Sequence, residues 1–104
     1  MFYRVTDRKG VGIYEALKRE AKYDWAKLKT DPNINWLPTP KVPEYVSSYT
    51  SYFTEQGYRD FVKKTYQIIT KYIEPRNIII TSDTRVPGTK VFEDQFQVVT
   101  SKGR

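Results

Sequence analysis

Lys18, Arg19, Lys22, Lys27 and Lys29 crowd into one short stretch of the chain, the densest set of cations in the sequence. Such a row can track a phosphate backbone or meet an acidic protein surface. Glu15, Glu20 and Asp24 interleave with it, as they would on the solvated face of a helix. Across 104 residues, 18 Lys and Arg stand against 12 Asp and Glu, a net charge of +6. Residues 1–30 hold eight basic and four acidic groups, so the first third carries most of the excess. The field therefore favours an acidic macromolecule. No helix-turn-helix, RNP or zinc-finger pattern accompanies the charge, and a protein is the expected partner ahead of nucleic acid.

The remaining inventory excludes more than it offers. Cysteine and histidine are absent, which removes disulfides, Cys/His zinc sites, thiol nucleophiles and Ser-His-Asp triads. Glu93-Asp94 is the only adjacent acidic pair, too few oxygens for a hard cation, so no metal is expected. Gly10-Val11-Gly12 lacks the third glycine and the long buried strand of a dinucleotide fingerprint and reads as a turn. The first twenty residues contain no apolar leader segment, and nowhere do apolar residues run to the roughly 20 needed to span a membrane. A cytoplasmic protein with no membrane partner is the expectation.

The elements that must position these groups follow from periodicity. Phe2-Tyr3-Arg4-Val5 is short and β-prone, and the turn-forming Asp7-Arg8-Lys9-Gly10 ends it. From Ile13 the apolar residues Ile13, Leu17, Ala21, Trp25 and Leu28 recur every three or four, which predicts an amphipathic helix. Residues 30–48 contain Pro32, Pro38, Pro40 and Pro43 and are expected to be an irregular loop, pinned to the body by Trp36 and Leu37. Tyr49–Phe53 predicts a strand and Thr54 the cap of a second helix. That helix carries Tyr58, Phe61, Val62, Thr65, Ile68, Ile69, Tyr72 and Ile73 on one face and stops at Glu74-Pro75. Ile78-Ile79-Ile80-Thr81 is a continuous β-branched run, expected to be a central strand covered on both faces. Val91–Thr100 reads as one last strand, with Glu93, Gln95 and Gln97 on its wet face and Phe92, Phe96 and Val98 on the other. The sum is an α+β domain spanning residues 1–104: a small mixed or antiparallel sheet, two amphipathic helices and a Pro-rich loop.

Tyr3-Arg4-Val5, Gly12-Ile13-Tyr14, the Pro-rich middle, Ser51-Tyr52-Phe53-Thr54 and Glu93-Asp94-Gln95-Phe96-Gln97-Val98 together resemble small ADP-ribosyltransferase-like domains, including phage-borne ones. The resemblance spans most of the chain. It implies NAD as cofactor, held by Arg4 on the first strand and by Ser51 or Thr54 on the middle strand, with Glu93 or Gln95 orienting the ribose. Gln95 stands where the family's pattern carries glutamate. An amide has no negative charge to stabilise a developing oxocarbenium ion.

Two expectations result. The first is a small basic binding or inhibitory protein without a cofactor, of phage or mobile-element kind, that blocks a host site through Lys18, Arg19, Lys22, Trp36 and Tyr52. The second is an NAD-dependent ADP-ribosyltransferase-like enzyme using Arg4, Ser51, Glu93 and Gln95.

Overall fold

A computed structural model describes residues 1–34, 36–37, 39–46 and 48–101. Five antiparallel strands form one sheet: β1 (Phe2–Thr6), β2 (Tyr49–Thr54), β3 (Ile79–Asp83), β4 (Thr89–Glu93) and β5 (Gln97–Ser101), in the order β3-β1-β2-β5-β4. The α+β class and antiparallel sheet expected from the sequence are present. No helix among the described residues is long and apolar enough to cross a membrane.

The first predicted helix is broken. α1 (Ile13–Ala21) ends where Lys22 takes a left-handed φ of 52°, a short 3-10 turn covers Lys22–Asp24, and α2 (Trp25–Lys29) resumes. Ile13, Ala16, Leu17 and Ala21 are buried from its apolar stripe, while Lys18 and Arg19 stay in solvent. The second helix runs as α3 (Glu55–Gly57), a π-helical turn (Tyr58–Val62) and α4 (Lys63–Tyr72). Thr54 caps it, its hydroxyl oxygen accepting from Gly57 N at 3.1 Å. Val62, Ile69 and Ile73 meet Ile13, Ala16 and Leu17 over Val5 and Phe53 of the sheet, and these form the core. Phe61 packs edge-on against Phe96, ring centres 4.8 Å apart.

Two expectations fail. The isoleucine run is not central: β3 lies at the edge, and every residue of it is exposed. The strand covered on both sides is β5, where Gln97, Val98, Val99 and Thr100 are all buried between β2 and β4. Nor is Val91–Thr100 one strand. Asp94 Oδ1 accepts from Phe96 N at 2.8 Å and Gln97 N at 2.9 Å, and this turn folds the segment into the β4-β5 hairpin. Glu93, Gln95 and Gln97 therefore do not share a wet face: Glu93 is exposed on β4, Gln95 sits in the turn, and Gln97 is 1% exposed.

The sheet is nearly divided. β1 pairs with β3 from Phe2 to Thr6, and β2 with β5 from Tyr49 to Phe53, but β1 and β2 pair only at Phe2/Thr54 and Tyr3/Phe53. Beyond Tyr3 no further β1-β2 pairs form, and Trp36, Leu37, Thr39 and Pro40 of the Pro-rich segment line a cleft there. The described residues of this segment contain neither helix nor strand, as expected; Pro38 lies outside them.

Candidate functional site

Arg4 bridges the parted strands. Its Nη1 donates to the Ser51 carbonyl of β2 at 3.2 Å, and its Nη2 donates to the Gly10 carbonyl of the turn after β1 at 3.3 Å. The guanidinium carbon lies 6.0 Å from the Tyr52 ring centre, at the outer limit of a cation–π contact. The side chain is half-buried, and desolvation lowers its pKa below the ordinary arginine value, against an opposing influence from Tyr52. No carboxylate among the described residues lies within ion-pair distance of it. A half-buried cation held by carbonyl dipoles and a distant ring has capacity left for an anion.

Arg4 opens into a cleft of about 640 Å³. One wall is aromatic. Tyr14 meets Phe53 and Trp36 edge-on, with ring centres 6.1 and 5.8 Å apart, and Trp36 meets Trp25 at 5.6 Å. Trp36 Nε1 donates to the Leu28 carbonyl at 2.9 Å, which fastens the Pro-rich segment to α2. Leu37, Pro40 and Tyr49 extend the apolar lining, and Lys29 and Glu15 stand among the lining residues with Ser51 and Gln97. Burial pushes the Tyr14 phenol up to about 12, although its 3.0 Å hydrogen bond with Thr65 works the other way. Tyr14 is therefore a neutral phenol at physiological pH.

The anticipated residues are divided by this geometry. Arg4, Ser51 and Trp36 come together in the cleft, and Tyr52 lies beside Arg4. Ser51 touches Arg4 through its carbonyl. Thr54, its alternative, is occupied with structure: besides capping the helix, it donates from Oγ1 to the Gln95 carbonyl at 2.7 Å. Glu93 and Gln95 are not among the residues of the cleft. β4 stands three strand spacings from β1, about 14 Å across the sheet, and Glu93 is engaged with Lys90 Nζ at 3.1 Å. Lys18 and Lys22 are exposed on the first helix, whereas Arg19 is committed to Asp7 at 2.9 Å and Glu20 at 3.1 Å.

Tyr14, Trp25 and Tyr49 are cleft residues that the sequence does not single out, and Lys29 enters it only as one member of the cation row. Trp25 was absorbed into the apolar stripe of the first helix. Tyr14 sits one position off that stripe, the one signal that it faces a groove and not the core centre.

A second hollow of about 420 Å³ lies under the turn after β1, beside Asp7, Arg8, Lys9, Arg19, Glu20 and Glu74. Acids and bases balance there, and the Asp7–Arg19 ion pair fills its buried side. Among the described residues no cluster of three potential metal ligands occurs. No protein-family model, no curated protein and no solved structure matches the chain.

Proposed function

We propose that this protein acts by binding, gripping an acidic segment of a protein partner in the cleft between β1 and β2. The observation that carries this reading is the half-buried Arg4 guanidinium, with no carboxylate among the described residues in ion-pair reach, beneath an aromatic wall. A partner side chain of apolar kind would lie against Trp25 and Trp36, and its neighbouring carboxylate would take the remaining donors of Arg4. Lys29 at the same cleft, with Lys18 and Lys22 on the adjoining helix face, would speed the encounter. Occupying a host protein's functional segment in this way is the inhibitory action such a small product would exert.

Both tryptophans of the chain line the cleft, so intrinsic fluorescence reports its occupancy. Acidic peptides bearing one aromatic or leucine side chain, selected against the wild-type protein, are expected to shift that emission saturably. Arg4→Ala should weaken binding by about 2 to 5 kcal/mol, the range for removing one partner of a buried charge pair. Selection of peptides without acidic residues, or equal affinity for Arg4→Ala, would refute the reading.

The second reading, an NAD-using ADP-ribosyltransferase-like enzyme, draws support from Arg4 and Ser51 meeting in one cleft on the first and middle strands. Against it stands the place of Glu93 on the far edge strand and of Gln95 in the turn beside Thr54, both outside the cleft. Calorimetric NAD binding together with labelling of host proteins, both lost in Arg4→Ala, would favour the enzyme over the binding protein.

A further inference from the structure

The two edges of the sheet are built differently. β4 carries a register shift between Lys90 and Phe92, an exposed Lys90 paired with Glu93, and half-buried Val91 and Phe92. Bulges and lysines of this kind blunt an edge against further pairing. β3 has neither. It pairs with β1 without a shift from Ile79 to Asp83 and contains no lysine, proline or glycine. Its Ile79 and Ile80 are 38% and 44% exposed. An edge strand without bulge, lysine or proline, apolar and exposed at its start, is a template for another strand.

We infer that β3 pairs antiparallel with β3 of a second copy, joining two sheets into one. Symmetry narrows the register. A two-fold axis relating two edge strands runs normal to the sheet and leaves each residue on its own face, while paired residues must also share a face. A dyad at Ile80 meets both conditions: Ile80 faces Ile80, Ile79 faces Thr81, and Asp83 comes alongside Asn77.

Charge favours the same arrangement. Arg8 Nε donates to Asn77 Oδ1 at 3.0 Å and to the Arg76 carbonyl at 3.1 Å, which fixes a cation at the leading end of the edge. Asp83 places a carboxylate at the trailing end. Neither Arg8 nor Asp83 has an ion pair among the described residues. Antiparallel pairing brings each Asp83 to the Arg8 of the other copy, once at either end. Of the charges flanking the strand in sequence, Arg76 is already paired with Glu74, and Arg85 lies beyond the strand. The net charge of +6 opposes association at long range, but physiological salt screens it beyond about 8 Å.

Light scattering coupled to gel filtration, at physiological salt and rising protein concentration, tests the inference on the full chain. The wild type is expected to approach twice the 12.3 kDa chain mass. Ile80→Lys should remain monomeric with unchanged near-ultraviolet circular dichroism, and Asp83→Lys should raise the dimer Kd at least about tenfold, equivalent to about 1.4 kcal/mol. A wild type that stays monomeric, including one whose β3 accepts only a foreign strand, overturns the proposal, as does a folded Ile80→Lys that still dimerises. Should Ile80→Lys misfold, wild-type hydrogen exchange decides: protection of β3 amides must rise with protein concentration, and exchange independent of concentration refutes the pairing.

Discussion

Asp7 organises the turn between β1 and α1. Its Oδ1 accepts from Lys9 N and Val11 N, both at 2.9 Å, and its Oδ2 accepts from Arg19 at 2.9 Å. Burial alone would raise the pKa of this carboxyl, but the Arg19 hydrogen bond and the two backbone donors outweigh it and hold the group below its ordinary value. A depressed carboxylate stabilises the fold above its unfolded pKa of about 3.9, and that contribution is lost as pH falls through the folded value. Asp7→Ala should therefore cost about 1 to 3 kcal/mol at neutral pH, the range for hydrogen bonds to a charged group. In thermal melts its deficit against wild type should narrow as the pH is lowered below about 4. A deficit unchanged with pH would mean that Asp7 holds the turn without its charge. Tyr14 shows the opposite sign. Its raised pKa, about 12, means stability fully present below the unfolded value of about 10 and lost as pH rises through the folded one. In a tyrosinate absorbance titration Tyr14 should ionise late, and Tyr14→Phe should remove that late step while costing about 1 kcal/mol at neutral pH for the lost hydrogen bond to Thr65.

At the scale of elements, the helix after β2 was the most legible part of the chain, because apolar residues recur along it and Thr54 marks its start. Its π turn was not legible. Gly57 lets the helix pack close against the β4-β5 turn: a methyl at this position would overlap the Phe96 carbonyl. Gly57→Ala should therefore destabilise by about 1 to 3 kcal/mol, as overpacking does. Phe61→Ala and Ile69→Ala should lose about 2 to 5 kcal/mol, measured by denaturant unfolding, with Lys63→Ala far below them. The reverse ranking would place the wrong face of this helix in the core. The strands were harder to read. A β-branched run such as Ile78–Thr81 reports β preference and not burial on both faces; strand order, which hydrophobicity does not encode, puts it at the edge. In Val91–Thr100 the alternation runs through Asp94, whose side-chain bonds to Phe96 N and Gln97 N make the turn without glycine or proline to announce it. Arg4, Ser51 or Thr54, and Glu93 or Gln95 are linked in the sequence only through the family resemblance; Arg4 and Ser51 share the cleft, and the turn at Asp94 takes Glu93 and Gln95 off the common strand face expected for them.

For the whole molecule, the charge excess of the first third is not spread evenly over the groups that carry it. Arg19 is spent on Asp7 and Glu20, which raise its pKa through hydrogen bonds, so reversing it would unpick the β1-α1 turn as well as change the field. Lys18, Lys22 and Lys27 are exposed and enter no ion pair among the described residues. Tyr23, 95% exposed, stands beside Lys22. These three lysines are the clean probes of steering. Replacing all three with Glu moves the net charge from +6 to 0 while leaving the cleft intact. If an acidic partner is drawn in by this field, the triple variant should associate more slowly and lose most of its salt dependence, because screening acts on attraction that is no longer there. Dissociation, set by Arg4 and the aromatic wall, should change little. Stopped-flow tryptophan fluorescence at several ionic strengths separates the two rates. An unchanged association rate and salt slope would remove the helix face from the encounter and leave recognition to the cleft alone, whereas faster dissociation would place the lysines inside the bound interface.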